Sequence, residues 1–372
     1  MKGQLMRFRS AIIKDGEIWC VPRNLNRLFR IDLDDWFVSD VCDLELNAEY
    51  QIGDILFYQG YIYCISDRGA KIIRYSTSTG AIEHFEMDID RRENLGIILY
   101  QGVIWIIPRI LPDQLVCFDI EKNKFSIFYE WHRLCEKKGI EGKVMTFCSK
   151  DSAIYMVLQE GCEIIKFNLK ESMLDKILLL KQKNFHCILG SRNEFFITSQ
   201  VGRCLFRWNE ITREVKEYHC EYRQEKNYIR GLKFENGILL SDGIMTDFFD
   251  MEKDKIVPYE YFPTDLNNDY GNGSLFSDII EYNDKYILFP WNANMLLEFD
   301  RSDKKWRGHA LKIPDKLFRE HTIEKLEKCH LVYENEMFLD DFIGRIETGS
   351  DKKGKNKTIN QSGYKIYNQI IV

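Results

Sequence analysis

The stretch Asp15-Gly16-Glu17-Ile18-Trp19, a tight polar turn followed at once by an apolar strand, decides the fold because its pattern recurs along the chain. Six later stretches have the same form. With the fourth residue of each stretch taken as its anchor, the seven anchors are Ile18, Ile62, Ile104, Ile154, Phe195, Ile238 and Tyr286. Successive anchors are 44, 42, 50, 41, 43 and 48 residues apart. Such a period is typical of an internal structural repeat.

A second mark follows each anchor at a nearly fixed distance. It is an apolar or aromatic residue and then, usually, a short polar residue that opens a turn. The polar residues are Asp32, Ser76, Asp119, Asn168, Asn209, Asp250 and Asp300, at offsets of 14, 14, 15, 14, 14, 12 and 14. Gly, Asn and Asp supply the turn conformations that reverse a strand. The spacing leaves room for four antiparallel strands in each repeat, which is the composition of a propeller blade.

The sequence therefore predicts an all-β fold, a seven-bladed β-propeller of four-stranded antiparallel blades, over residues 1–312. Seven unrelated hairpins in two sandwich domains would not produce the constant offset. The spacing of 50 residues before Ile154 leaves an eighth blade open. The repeat begins near Phe8 and ends near Trp306, so the first and last blades are each complete in sequence order. We expect the ring to close by packing of these two blades, helped by the C-terminal segment.

The first repeat resembles those of a known class of propellers. Asp15-Gly16-Glu17-Ile18-Trp19 together with Leu28-Phe29-Arg30-Ile31-Asp32 is most similar to streptogramin-lyase-like repeats, and the pattern also resembles kelch-like and NHL-like repeats. The double glycine of kelch blades and the Trp-Asp ending of tryptophan-aspartate repeats are absent. The resemblance covers about five-sixths of the chain. It implies the propeller fold, which hosts many functions, and so it implies no particular activity.

After Lys312 the pattern changes, and residues 313–372 are expected to form a small α-helical C-terminal extension. Ile313-Pro314-Asp315 is typical of a helix start, and a second helix is expected from about Asn335 to Glu347. The polar, lysine-rich segment from Ser350 to Asn360 favours a mobile loop. We expect the extension to cap the rim of the propeller. The alternative is that these helices are themselves the interaction site.

Composition argues against several classes of protein. The net charge of −6 and the pI near 5.8 disfavour binding of nucleic acid through its phosphates. The 11 cysteines include no CxxC pair and no Cys/His ligand spacing, which favours thiols in a reducing compartment. No apolar run is long enough to span a bilayer, and Met1 to Ser10 shows no secretory signal. We expect a cytoplasmic monomer with no metal and no cofactor.

The loops of the predicted propeller differ between its two faces. Turns from the first to the second strand and from the third to the fourth are short, as at Gln59-Gly60. The remaining loops and blade connections are longer, for example Ser39 to Tyr50, Glu130 to Lys143 and Glu260 to Leu275. Long irregular loops on a rigid scaffold usually carry binding and catalysis. We call the side with these loops the long-loop face and expect the function there.

Two rings of aligned positions mark the mouth of the central channel on this face. One ring lies five residues after the anchors, with its immediate neighbours, and the other lies eight residues before them. These rings predict the ligand-binding residues Arg23, Asp54, Asp67, Arg68, Arg109, Gln159, Gln200, Arg230, Asp242, Asp278, Trp291 and Asn292. The arginines could form a cationic rim for a carboxylate, a phosphate or an acidic peptide, or each could pair with a nearby carboxylate.

Aromatic residues crowd the sixth and seventh blades at the same face. They are Tyr259, Tyr261, Phe262, Tyr270 and Trp291. Aromatic rings can stack against a sugar or a peptide, and they can equally pack a long loop. Both interpretations stay open at this point.

Two functions follow from these residues. The first is a non-enzymatic propeller that recognises a protein, peptide or glycan on its long-loop face. The alternative is a propeller enzyme, a lyase or hydrolase acting at the channel mouth. His186 is the candidate catalytic residue because it begins an inner strand, and Asp54 and Asp278 are the candidate carboxylates. A hydrogen bond between His186 and a carboxylate in an open pocket would favour the enzyme.

Overall fold

The computed structural model describes residues 8–22, 25–47, 50–89, 93–178, 184–199, 202–222, 227–242, 246–266, 275–291, 293–311 and 316–317. Within this part of the chain, seven antiparallel sheets are arranged as the blades of a β-propeller. The predicted fold class and the count of seven blades are confirmed. The predicted helical extension over 313–372 lies outside the described residues, apart from Lys316 and Leu317.

Each of the first three blades has four strands in antiparallel order. Blade 1 contains β1 (Phe8–Lys14), β2 (Glu17–Pro22), β3 (Arg27–Asp32) and β4 (Val38–Asp43). Blade 2 contains β5 (Ile52–Tyr58), β6 (Tyr61–Ser66), β7 (Ala70–Ser76) and β8 (Ile82–Met87). Blade 3 contains β9 (Asn94–Tyr100), β10 (Val103–Pro108), β12 (Val116–Asp119) and β13 (Lys124–Ile127); the short β11 (Ile110–Leu111) follows β10.

The remaining four blades have the same order. Blade 4 follows the helix α1 (Glu130–Lys138) and contains β14 (Gly142–Lys150), β15 (Ala153–Leu158), β16 (Glu163–Asn168) and β17 (Met173–Leu178). Blade 5 contains β18 (Phe185–Ser191), β19 (Glu194–Ser199), β20 (Cys204–Asn209) and β21 (Val215–His219). Blade 6 contains β22 (Arg230–Phe234), β23 (Gly237–Ser241), β24 (Thr246–Asp250) and β25 (Lys255–Pro258). Blade 7 contains β26 (Phe276–Tyr282), β27 (Lys285–Pro290), β28 (Leu296–Asp300) and β29 (Lys305–His309).

The two sequence marks of the repeat have defined structural roles. Every anchor lies in the second strand of its blade, and every predicted polar residue is the last residue of the third strand. These polar side chains cap the following turn: the Asp32 carboxylate accepts the N–H of Asp34 at 2.7 Å, and the Asn209 side chain accepts the N–H of Ile211 at 3.0 Å. Local side-chain bonds of this kind favour turns over continued strand. The fixed offset is therefore the length of one hairpin.

The long spacing before blade 4 is an insertion rather than an eighth blade. It holds α1, which buries Trp131 and Cys135 against the sheet residues and ends at Gly139 in the left-handed conformation, with φ 59°. It also holds β11, which pairs with β14 and makes blade 4 five-stranded. The sequence interpretation of Glu130 to Lys143 as a loop missed this helix. In the described part of the chain, no helix is long and apolar enough to cross a bilayer.

The ring closes by contact between complete blades. The first strands of successive blades touch one another all around the ring, and β26 of blade 7 also contacts β1. At this seam the rings of Phe8 and Phe289 meet edge to face at 6.2 Å, and Trp36 stacks on His309 at 3.5 Å. Within the described ranges, no strand of one terminus enters the sheet of the other. Packing of the first and last blades was predicted; the predicted help from residues 313–372 lies outside the described residues.

Candidate functional site

The long-loop face follows the prediction in its blade connections, whereas loops from the second to the third strand, such as residues 67–69 and 159–162, are as short as the turns from the third to the fourth strand. All seven turns from the first to the second strand have two residues, and each begins with a residue of positive φ, such as Asp15 at 53°. The opposite ends carry the longer connections, including α1 and the segment between β25 and β26. The seven first strands meet around the axis, so their starting ends surround the mouth of a channel on the long-loop face.

The inner strands are irregular where they reach this mouth. In six blades the pairing of the first and second strands shifts by an extra residue at the level of the inner ring. In blade 5, Phe185 pairs with Ser199 and Cys187 with Thr198, so His186 is the unpaired, bulged residue. A bulge re-aims side chains and is common at barrel rims and beside active sites.

Several inner-ring side chains join neighbouring blades. The Asp54 carboxylate accepts the N–H of Ile97 in blade 3 at 3.0 Å, and the Thr146 hydroxyl accepts the N–H of Ile188 in blade 5 at 2.8 Å. The Arg230 guanidinium donates to the carbonyl of Ser277 in blade 7. Gly96 leaves room for this arrangement, since a Cβ there would lie 2.9 Å from an Asp54 carboxylate oxygen. These side chains fix the spacing of the blades around the channel.

The acidic groups of the channel are hard to ionise. Burial raises the pKa of Asp278 to about 6, although the nearby Arg230 opposes the rise, and the Asp54 charge adds to it. Burial also raises the pKa of Asp54, against the hydrogen bonds from Ser10 and the main chain. The predicted residues Asp54, Arg230 and Asp278 are thus brought together as one electrostatic group.

His186 lies in this group but faces cations. Burial lowers its pKa to about 4, and Arg230 and Arg109 lower it further, while a hydrogen bond with the main chain of Ile229 opposes them. Its buried Nδ1 has no hydrogen-bond partner among the residues that the structure describes. The imidazole is therefore neutral at pH 7. The carboxylate contact that would favour catalysis is not among its described bonds.

The ring at the ends of the second strands is held mainly through the main chain. The N–H groups of Arg109, Gln159 and Trp291 each bond to the carbonyl of a residue within two positions of the start of an inner strand, at 2.8–2.9 Å. The Asp67 carboxylate accepts the N–H of Gln51 at 3.1 Å, whereas the Arg68 side chain is exposed. Arg23, Gln200 and Asn292 lie outside the described residues.

Asp242 is the predicted residue whose surroundings differ most from an open rim. Its carboxylate accepts the Arg203 guanidinium at 2.7 Å, and Arg203 also binds Asp247 at 2.8 Å. All three side chains are at most 3% exposed. The Tyr228 hydroxyl donates to Asp247 at 2.6 Å, and its ring lies 4.8 Å from the guanidinium carbon of Arg203. Sequence reasoning missed Arg203 and Asp247, because nothing in their spacing marks the pairing.

The aromatic group of blades 6 and 7 divides into two parts. Tyr259, Phe262 and Trp306 are partly buried and pack against the core, and the Trp306 indole N–H donates to the Tyr259 hydroxyl at 2.7 Å. Tyr261 is 74% exposed on the same connection. Tyr270 lies outside the described residues. The loop-packing interpretation therefore fits Tyr259 and Phe262, and Tyr261 is left open to solvent.

The described residues offer a rigid, mixed-charge mouth rather than a preformed reaction centre. In the described ranges no three His, Cys, Asp or Glu side chains come together as a metal site. What the mouth presents is a set of hydrogen-bonding groups of fixed spacing, with Arg68 and the long loops at its periphery. Such a surface can bind and orient a ligand.

Comparison with known proteins gives no match to a protein family or to a curated protein. Solved structures do match. Virginiamycin B lyase from Staphylococcus aureus superposes with a TM-score of 0.58 at 12% identity, over 78% of this chain and 93% of that one. YCF48 from Cyanidioschyzon merolae gives a TM-score of 0.61 at 8% identity, over 81% and 98%.

A third match is the extracellular domain of a putative one-component system from B. thetaiotaomicron, with a TM-score of 0.57 at 13% identity. It covers 84% of this chain and 48% of that one. The likeness is one of fold. At these identities it supports the propeller architecture that the sequence predicted, and the matched propellers include a lyase as well as an extracellular domain of a one-component system.

Proposed function

We propose that the chain is a non-enzymatic binding propeller that recognises a protein, peptide or glycan on its long-loop face. The observation that carries the proposal is a set of exposed tyrosines on the long connections. Tyr129 is 83% exposed, Tyr261 74% and Tyr222 40%. They lie before blades 4, 7 and 6 respectively, with the exposed Arg68 before the third strand of blade 2. Tyr and Arg are the residue types that dominate binding hot spots.

The distribution of these residues favours a protein or peptide over a single sugar. The three tyrosines belong to three different blade connections, so a ligand that touches all of them must extend across the face. A standard protein interface covers roughly 800 Å² on each partner, which such an extent can supply. Binding of a glycan instead is an outcome of the experiment below.

The experiment is capture of partners from native lysate by the immobilised chain. The double variant Tyr129→Ala, Tyr261→Ala should lose most of the captured partner, because each change removes exposed aromatic area and no buried side chain. The matched control is Phe37→Ala, Ile211→Ala, two exposed residues (65% and 70%) at the turns of the opposite face. Capture of the same amount of partner by both double variants would contradict the proposal. Binding of the wild-type chain to a glycan array would show that the ligand is a sugar.

The cationic rim is tested in the same assay. Arg109 and Arg230 make main-chain bonds within the scaffold, whereas Arg68 is exposed and free of core packing. Arg68→Ala should therefore weaken the binding of an acidic partner without lowering the melting temperature of the chain. Binding that stays constant between low and high salt would contradict an electrostatic contribution.

Catalysis at the channel mouth, as a lyase or hydrolase, is the second candidate. It is supported by two groups of perturbed pKa in one channel, His186 at about 4 and Asp278 at about 6. Virginiamycin B lyase, and the quinupristin complex of its catalytically inactive His-to-Ala variant, share the fold. Incubation with quinupristin, followed by mass spectrometry, tests this candidate. Turnover abolished by His186→Ala would establish it, and an unchanged substrate would remove it.

We also propose that the chain works as a monomer in a reducing compartment such as the cytoplasm. The described cysteines form no disulfide with one another, and burial raises the pKa of several thiols, including Cys42 to about 11. Such thiols resist oxidation. Size-exclusion chromatography with and without reductant checks both points, since a dimer or a redox-dependent shift would contradict them.

A further inference from the structure

A groove of about 330 Å³ opens between blades 1 and 2, toward the face of the short turns. Its walls include Trp19 and Tyr75, two buried aromatic residues whose rings are 5.9 Å apart. Lys14, Arg30 and Thr77 also line the groove. The groove lies away from the long-loop face, so it is separate from the proposed binding surface.

The repeat provides an internal comparison for this groove. In every blade the residue after the third strand donates its N–H to a carbonyl of the two-residue turn; Thr77 does so to Gly60 at 3.0 Å and Glu210 to Asn193 at 2.9 Å. Thr77 of blade 2 and Glu210 of blade 5 are therefore structurally equivalent. By the same alignment, Lys14, Trp19 and Arg30 of blade 1 correspond to Lys150, Tyr155 and Lys166 of blade 4.

Between blades 4 and 5 the equivalent space is filled by a carboxylate. Glu210 accepts the ammonium groups of Lys150 at 2.9 Å and Lys166 at 2.5 Å, and the Tyr155 hydroxyl at 2.6 Å. Burial raises the pKa of the Glu210 carboxyl, but these donors outweigh burial and hold the pKa at about 2. Two cations and an aromatic residue thus meet one anion.

Between blades 1 and 2 the cations remain, but Thr77 stands where Glu210 stands between blades 4 and 5, and Arg30 pairs instead with Glu17 of its own blade. Thr77 directs its hydroxyl to the Gly60 carbonyl at 2.9 Å. Among the described residues, the acids near the two cations come from blade 1 itself: Asp15, 78% exposed, lies 3.0 Å from Lys14, and Glu17 lies 3.2 Å from Arg30. Asp40, which lines the groove together with Glu17, binds Arg27.

We propose that this groove binds a carboxylate-bearing ligand. The carboxylate takes the position that the Glu210 side chain occupies between blades 4 and 5, between Lys14 and Arg30. The apolar part of the ligand contacts Trp19 and Tyr75. The volume is at the lower end of ligand pockets, which suits a free amino-acid-sized acid or one glutamate of a peptide. Both sources share the same chemistry.

The experiment is titration of the full chain, by calorimetry, with N-acetylglutamate amide, N-acetylglutamine amide and the peptide Gly-Ser-Glu-Ser-Gly. We expect the glutamate probe or the peptide to bind and the glutamine probe not to bind. Thr77→Glu should weaken binding at least tenfold, because its own carboxylate reaches the cations, and should raise the melting temperature by about 2 °C or more. Thr77→Ser is the matched control and should bind as the wild type does.

A reciprocal variant makes the test independent of folding defects in the groove. Glu210→Thr should create a second site between blades 4 and 5, so that the stoichiometry rises from one to two. Binding of the peptide alone supports the proposal and assigns the ligand to a protein. Failure of the wild type to bind either glutamate probe, or equal binding by Thr77→Glu, overturns it. Neither result affects partner capture at the long-loop face.

Discussion

Glu210 joins blades 4 and 5, and changing it to glutamine should destabilise the propeller in a pH-dependent way. The side chain is 17% exposed and accepts bonds from Lys150, Lys166 and Tyr155. These bonds outweigh the effect of burial and lower the pKa of the carboxyl from 4.5 to about 2. Glu210→Gln keeps the size of the side chain and removes its charge.

The difference between the pKa of Glu210 in the folded and unfolded chain sets the size of this destabilisation and its dependence on pH. The fall in the pKa of Glu210 from 4.5 to about 2 corresponds to roughly 3 kcal/mol of stabilisation, and screening at the partly exposed lysines reduces this to about 2 kcal/mol. Because the folded-state pKa is depressed, the stabilisation is fully present above pH 4.5 and is lost as the pH falls through 2. The variant should therefore differ from the wild type most at neutral pH.

Urea unfolding at pH 7, 5 and 3, followed by tryptophan fluorescence, measures this difference. We expect a gap in the free energy of unfolding of about 2 kcal/mol at pH 7 and 5, and less than half of that at pH 3. Glu214→Gln, an exposed acid of the same turn, is the control and should match the wild type throughout. A gap that is the same at all three pH values would refute the electrostatic explanation.

Three further changes test other parts of the molecule. Arg203→Met should lower the free energy of unfolding in urea by about 3–5 kcal/mol, because Asp247 keeps a buried charge without its cation. Burial lowers the pKa of His309 from 6.5 to about 4, so the unfolded chain binds a proton at a higher pH than the folded chain does. Stability should therefore fall as the pH is lowered from 6.5 to 4, and His309→Asn should flatten this part of a plot of melting temperature against pH. Gly237→Ala should cost more than about 2 kcal/mol in thermal unfolding, since its Cβ would lie 2.2 Å from the Phe249 carbonyl oxygen.

For each of these three predictions, one result would contradict it. Arg203→Met should be compared with Arg133→Met, whose side chain is 76% exposed; equal stabilities would mean that the buried pairing contributes nothing. An unaltered pH profile in His309→Asn would remove that histidine as a source of acid sensitivity. A melting temperature of Gly237→Ala equal to that of the wild type would mean that β23 accommodates a side chain by shifting.

The fold could be predicted because its signals are local. A turn that needs a positive φ and a third strand that ends on a capping side chain leave their mark at fixed distances, as at Asp15 and Asp32. The helix α1 was missed although its ends carry ordinary signals: Glu130 in the first turn, Lys137 and Lys138 in the last, and Gly139 after it. The expectation of a regular repeat outweighed them.

The candidate site could be predicted only as a location. The inner ring was recognised as polar, but its bonds to neighbouring blades, such as that from Asp54 to Ile97, depend on main-chain positions 43 residues away. The Arg203 cluster joins residues up to 44 positions apart, and the sequence shows no constraint that pairs them. Roles of this kind are set by the assembled ring, since the partner atoms belong to other repeats.

The seam between blades 7 and 1 has a consequence for how the chain may be rewired. The four main strands of every blade come from one segment of the chain, and among the described residues no strand crosses the seam, where side chains such as Phe8 and Phe289 meet. A circular permutant that joins Leu311 to Phe8 by a short linker and opens the chain between Pro258 and Phe276 should assemble the same ring. We therefore expect the order in which the blades are synthesised to be interchangeable in this molecule.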